Sequence, residues 1–242
     1  MGKIKNLIIC DSLEELSINA ADIFSRLSRD SVVEKGSFSV ALSGGHTPGM
    51  LYELLASDDI KINIPWQDVH LFWCDERCVP PSDIRSNYRL AHYEMISKIP
   101  IPAQNVHRIK GEGDPKESAL EYEKELKEFF NAQVPAFDLM LLGLGEDGHT
   151  LSLFPSKETL REEKRLVVET HVEPFDYDRI TMTLPVVNNA SKVIFLVSGR
   201  NKAGILKEVL TNKDKAPAYP AQLVRPRGEL IWLVDKEAAS LL

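Results

Sequence analysis

The chain has 242 residues, 43% of them hydrophobic and 27% charged, with a formal net charge of −7. This is the make-up of an ordinary soluble globular protein, with enough apolar residues for one full α/β core. The acidic surplus argues against nucleic acid as a partner, and no apolar run reaches the roughly 20 residues that would cross a membrane.

Leu7 to Cys10 reads as a short first strand. Ser12-Leu-Glu-Glu15 has the form of a capping box and opens an amphipathic helix with Leu13, Leu16, Ala20, Ile23 and Leu27 at helical spacing. Phe38 to Leu42 is the next strand and runs into Ser43-Gly44-Gly45-His46-Thr47-Pro48. Thr47 is placed to cap a helix, and Pro48 suits its first turn. A strand, a Gly-Gly turn and a helix N-terminus make an anion site, because backbone N–H groups point outward and the helix dipole adds positive potential. Taken alone the pattern also fits a plain βα turn, and the Gly-Lys-Ser/Thr ending of a Walker loop is absent. Val69 to Cys74 is a third strand, with Asp75-Glu76-Arg77 at its end. Charges directly after a buried strand mark a solvated loop or a site, and the burial of this strand favours the site. Ser86 opens a helix to about Ile99, which Pro100 and Pro102 end. Asp114-Pro115 starts another, with Ala119, Tyr122, Leu126 and Phe130 on one stripe. Its run of Glu and Lys reads as a solvated face.

The most informative stretch follows. Phe137 to Leu142 is an apolar run that reads as a buried strand. Gly143, Gly145 and Gly148 then form a loop holding Glu146, Asp147, His149, Thr150 and Ser152. A carboxylate and an imidazole two residues apart at a strand end suit acid–base chemistry near neutral pH. A solvated His in a tight turn is the plainer alternative. Leu166 to Thr170 and the alternating Arg179 to Pro185 read as further strands. Lys192 to Val197 delivers Ser198-Gly199-Arg200-Asn201-Lys202 and a helix with Ile205, Leu206, Val209 and Leu210. Arg225-Pro-Arg-Gly breaks the pattern, Leu230 to Val234 is the last strand, and Asp235 begins a short terminal helix.

Strands alternate with helices, which predicts an α/β class with a mainly parallel sheet. No repeat or long linker divides residues 1–242, so one domain is expected. Ligands of such sheets bind at the carboxyl ends of strands, and four predicted strands carry polar turns there. Cys10, Cys74 and Cys78 give no disulfide framework, and no secretory leader is evident, so a reducing, cytoplasmic setting is expected. Cys74 and Cys78 lack a second ligand pair and read as thiols rather than a metal site.

Gly-Leu-Gly-Glu-Asp-Gly-His149-Thr-Leu-Ser-Leu-Phe-Pro155 resembles the signature of 6-phosphogluconolactonases, which form a larger group with the glucosamine-6-phosphate deaminases. Ser43 to Pro48, Trp73 to Arg77, Ser86-Asn87-Tyr88, Val106 to Arg108, Arg179 to Thr181, Ser198 to Lys202 and Pro220 to Pro226 resemble further family blocks in family order. The resemblance implies a Rossmann-like three-layer fold, its sheet sandwiched by helices. It implies a phosphorylated sugar lactone as substrate, no metal or organic cofactor, and a monomer or small homo-oligomer. His149 would be the general base and Asp147 its orienting carboxylate. The loop N–H groups would stabilise the oxyanion. Ser43, Gly44, Gly45, His46, Thr47, Asp75, Arg77, Arg179 and Lys202 would bind substrate or its phosphate. His46 departs from the Ser or Thr usual after Gly-Gly, and Leu151 from the common Ala. A deaminase would carry Glu in a Phe-Asn-Glu-Pro block where this chain has Ser152-Leu-Phe-Pro155. A non-catalytic phosphosugar sensor would need neither Asp147 nor His149.

Overall fold

The computed structural model describes residues 6–172, 177–212 and 219–242. In chain order these form β1 (Leu7–Cys10), α1 (Leu13–Lys35), β2 (Phe38–Leu42), α2 (His46–Leu55), α3 (Asp58–Lys61), β3 (Val69–Trp73) and β4 (Asp75–Arg77). There follow α4 (Asn87–Glu94), β5 (Val106–His107), α5 (Pro115–Phe130), β6 (Leu139–Leu142), β7 (Val167–His171) and β8 (Asp178–Met182). The last elements are α6 (Leu184–Asn188), β9 (Lys192–Val197), α7 (Ala203–Thr211) and β10 (Glu229–Asp235).

Seven strands make a parallel sheet in the order β1-β10-β9-β6-β2-β3-β5. From β2 the chain winds outward through β3 to β5. It then returns to β6 on the other side of β2 and winds the opposite way. The reversal leaves a crevice beyond the carboxyl ends of β2 and β6, the usual place for a ligand in this class. Every residue of β2 and β6 is buried. Helices cover such a sheet on both faces, so its inner strands read as unbroken apolar runs. Among the helices, α1 lies against α2, β2 and β10.

A second sheet was not foreseen. It has three antiparallel strands in the order β4-β8-β7. The chain passes between the sheets at Cys74, whose N–H donates to Leu42 O (2.8 Å) and whose carbonyl accepts from Met182 N (2.8 Å). Asp75-Glu76-Arg77 is therefore a strand, not a loop. A triplet of charges carries no strand signal of its own, because its pairing comes from β8 at 100 residues' remove.

Four boundaries differ from the sequence reading. Helix α2 is capped by Gly45 at φ 107°, so it begins at His46 and Thr47 lies inside it. The predicted strand at 179–185 ends at Met182, because Pro185 sits in the first turn of α6. Helix α4 stops at Glu94 and a 3₁₀ turn continues to Lys98. Asp235 starts only a single turn, since its carboxylate accepts from Ala238 N (2.7 Å) and also from Ser198 Oγ (2.5 Å) and Gly199 N (3.0 Å).

The Glu/Lys run of α5 is not wholly solvated. Glu123 is buried, and its carboxylate accepts from Lys127 Nζ (2.7 Å), Arg165 Nε (2.7 Å), Leu166 N (2.9 Å) and Val167 N (3.3 Å). It fastens α5 to the start of β7. Burial pushes this carboxyl up, but the two cations and two N–H groups outweigh it and hold the value down at about 2. A folded value near 2, against about 4.3 in an unfolded chain, makes the contribution complete above the unfolded value and lost as pH falls through the folded one. Glu123→Gln is expected to cost about 2 kcal/mol at pH 7, after allowance for water near the exposed Lys127. In urea unfolding the gap from the parent should shrink by more than half at about pH 3. An equal gap at both pH values would show that the charge is not what stabilises the contact.

Candidate active site

Ser43 lies at the end of β2, buried. Its hydroxyl donates to Leu141 O (2.6 Å) and its carbonyl accepts from Tyr52 OH (2.6 Å). The hydroxyl hydrogen thus ties β2 to β6 across the crevice and is not available to a ligand. Gly44 and Gly45 follow, and α2 starts with no side-chain cap, so its end presents main-chain N–H groups. Asp235 holds the Ser198–Gly199 corner on the other side, which carries Lys202 into the 3₁₀ turn before α7.

Along β4 the side chains alternate. Asp75 and Arg77 line the crevice, whereas Glu76 does not. Glu76 accepts from Arg77 N (2.7 Å), Ser86 Oγ (2.9 Å), Asn87 N (2.8 Å) and Tyr88 N (2.8 Å), which anchors the start of α4. Burial still raises its carboxyl above the usual range, against the pull of those four donors. Arg77 stands directly opposite Arg179 of β8. Like charges facing each other across a ladder are unfavourable. Burial, and then Arg77, lower the Arg179 guanidinium from its ordinary value, and Asp75 opposes them. Arg179 is only 6% exposed, so the protein holds positive charge where it is expensive. Such a pair is relieved by an anion.

The glycine loop after β6 closes on itself. Gly145 N donates to His149 O (2.8 Å) and Gly148 N to Gly145 O (3.0 Å). His149 Nδ1 lies 2.5 Å from Asp147 Oδ1, which also accepts the His149 main-chain N–H (3.1 Å). An ionised carboxylate only accepts, so Nδ1 carries hydrogen and Nε2 is left as the basic nitrogen. Gly145 has no side chain because the pair occupies its place: a Cβ there would sit 2.1 Å from His149 Nδ1. The imidazole lies on Phe154 (4.3 Å between centroids), and Arg179 lies over the same ring at 5.4 Å. The N–H groups of Gly145, Gly148 and His149 are all engaged within the loop, so these three are not oxyanion donors in this geometry.

Asp147, His149, Asp75, Arg77, Arg179 and Lys202 line one cavity of about 590 Å³, together with Ser43, Gly44 and Gly45. His46 and Thr47 line an adjoining cavity of about 490 Å³ against Ser198, Gly199 and Lys202. Gly44, Gly45, Gly143, Leu144 and Lys202 border both, so the crevice has two compartments with Lys202 at their junction. Three lining or supporting residues were not singled out from sequence. Asn87 donates to Asp75 O (2.9 Å), Ser152 donates to Asp75 Oδ2 (2.6 Å), and Phe154 separates His149 from Arg179. All three fall inside the blocks quoted above, which was the available signal.

Among the described residues, no group of three or more His, Cys, Asp or Glu side chains is placed to hold a metal ion. Burial pushes the Cys74 thiol far up and the Cys78 thiol to about 12, so neither is a thiolate at neutral pH. No helix among the described residues is long and apolar enough to cross a membrane.

The parallel sheet with a polar crevice at its reversal defines a small-molecule enzyme class, and comparison with known proteins narrows it. Residues 11–232 match the family described as glucosamine-6-phosphate isomerases/6-phosphogluconolactonase, and the chain belongs to that family. A 6-phosphogluconolactonase of Synechocystis is 41% identical over 215 residues, covering 87% of each chain. Among solved structures, the devB protein superposes with a TM-score of 0.90 at 34% identity, covering 97% of this chain and 98% of its own. The 6-phosphogluconolactonase of Trypanosoma cruzi superposes at 0.87 with 28% identity, covering 98% of this chain and 96% of its own.

Proposed function

We infer that this chain is a lactonase: it hydrolyses 6-phospho-D-glucono-1,5-lactone to 6-phospho-D-gluconate in the oxidative pentose phosphate route. The observation that carries the residue-level reading is the Asp147–His149 pair, facing a cavity that also holds the buried Arg179, the half-buried Arg77 and Lys202. In this reading His149 Nε2 takes a proton from water as the oxygen attacks the lactone carbonyl carbon. The tetrahedral intermediate collapses, the bond from that carbon to the ring oxygen breaks, and the imidazolium returns the proton to the departing oxygen. Asp147 keeps the imidazole in one tautomer and stabilises its charged form. Arg77, Arg179 and Lys202 hold the phosphate and the developing carboxylate. The ester is already activated, so no nucleophilic side chain is needed, and Gly-x-Ser-x-Gly is absent. Where the deaminase block would carry its ring-opening Glu, this chain has Phe154, whose ring packs against both His149 and Arg179. Three free cysteines suit the reducing, cytoplasmic setting expected above.

The test adds protein to freshly made lactone and follows acid release above the spontaneous rate. Unphosphorylated gluconolactone should be a much poorer substrate. Arg179→Ala should lose more activity on the phosphorylated lactone than on the plain one. No acid release above background would end the lactonase reading, and equal losses on both lactones would remove Arg179 from the phosphate contacts.

A further inference from the structure

We propose that Ser152 is a positioning residue: its hydroxyl holds the Asp75 carboxylate in place so that the Arg179 guanidinium stays turned toward substrate. The proposal rests on the lactonase reading above. Ser152 is completely buried, and its N–H donates to Thr181 Oγ1 (3.2 Å), which seats it beside β8 two residues from Arg179. Its hydroxyl donates to Asp75 Oδ2 (2.6 Å), and the Ser152 hydroxyl oxygen accepts from Arg179 Nη1 (3.5 Å). The other carboxylate oxygen, Asp75 Oδ1, is met by Asn87 Nδ2 at 3.3 Å. The buried acid is thus held by two neutral donors, one on each oxygen. A negative neighbour lowers the cost of holding the buried Arg179 guanidinium opposite Arg77, yet a carboxylate that clamped it would compete with the substrate anion. A hydroxyl that donates to the acid and accepts from the guanidinium bridges the two, so that Asp75 and Arg179 share one hydroxyl at the wall of the crevice.

Without that hydroxyl, Oδ2 is buried and short of a donor, and Arg179, whose Nη1 donates to the same hydroxyl in the parent, loses an acceptor at the same point. The guanidinium then moves onto Asp75 and away from the ligand. His149 is held by its contacts with Asp147 and Phe154, and the hydrogen bonds of Ser152 run to Asp75, Thr181 and Arg179 instead, so the chemical step is spared. Ser152→Ala is therefore expected to raise KM about tenfold, the usual scale of a hydrogen bond to a charged group, with kcat changed by less than about threefold. Affinity for 6-phosphogluconate, read by calorimetry, should fall by the same factor. Ser152→Cys fills the same space with a poor donor and should share the defect, whereas Ser152→Thr keeps the hydroxyl and should stay near the parent. In an Asp75→Asn background Ser152→Ala should add little, because the carboxylate it acts through is gone.

Parental KM and product affinity in Ser152→Ala would overturn the proposal. So would rescue by Ser152→Cys, which would make the effect one of packing, or full additivity with Asp75→Asn. Should Ser152→Ala fail to fold, the Cys and Thr variants carry the same comparison. A parent protein without lactonase activity would overturn the reading beneath it instead, and the parent is measured first.

Discussion

His149→Ala should lower kcat by about 10²–10⁴-fold while leaving affinity for 6-phosphogluconate largely intact. The Nε2 atom contributes chiefly when water gives up its proton, so the contact matters in the transition state more than in either bound state. Asp147→Asn should be milder, because an amide oxygen can still accept from Nδ1–H, but it no longer balances the charge of the imidazolium. In the parent, kcat/KM should decline on the acid side, since a protonated imidazole cannot act as base. Background hydrolysis must be subtracted at each pH, because it rises with hydroxide and could imitate that limb. A His149→Ala protein with near-parental kcat at neutral pH would make the histidine structural. Glu76 would not be the substitute base, because its carboxylate is enclosed by four donors under α4. Asp75 and Glu146, which line the crevice, would remain.

Gly145→Ala should abolish most of the activity with little loss of stability. Its φ is not in the left-handed region, so alanine is acceptable to the main chain. The added methyl, however, would lie 2.3 Å from His149 Cε1 and 2.7 Å from Asp147 Oδ1, inside the two side chains that matter most. Both must rotate away, and a displacement of about 1 Å at a catalytic group costs on the order of 10²-fold. Gly204→Ala in α7 is the control, because nothing lies within 4 Å of its Cβ position and it lines neither compartment of the crevice. Steady-state kinetics and a thermal melt on the same samples decide the matter. Parental kcat in Gly145→Ala would show that the Asp147–His149 contact is dispensable.

Much of the fold was legible because its central strands advertise themselves. β2, β6 and β9 are apolar runs followed by glycine, and parallel strands covered on both faces must look like that. The helix starts at Ser12, Ser86 and Asp114 were legible from the capping chemistry of single residues, and all three side chains accept from a main-chain N–H. What could not be read was long-range. β4 is a strand only because β8 comes beside it, and nothing in Asp75-Glu76-Arg77 announces that. Glu123 looked like one more surface acid, because its partners Arg165, Leu166 and Val167 lie some 40 residues on. The site was legible to the extent that chemistry and glycine coincide. His149 and Asp147 stood out on those grounds. The positions of Arg77 and Arg179 followed from the resemblance, but their pairing across one ladder did not. Ser43 shows the limit in the other direction: a hydroxyl in the right block is a strand-to-strand tie.

The small antiparallel sheet gives the crevice two different mechanical supports. The acid–base loop and the α2 end grow from β6 and β2 in the middle of the parallel sheet. Arg77 and Arg179 ride on a three-stranded leaf joined to the body through Cys74, Thr183 and the Glu123 clasp. The proton-transferring pair thus stands on the parallel sheet, whereas the grip on charge stands on a leaf pinned by two buried glutamates, Glu76 to the start of α4 and Glu123 from α5 to the start of β7.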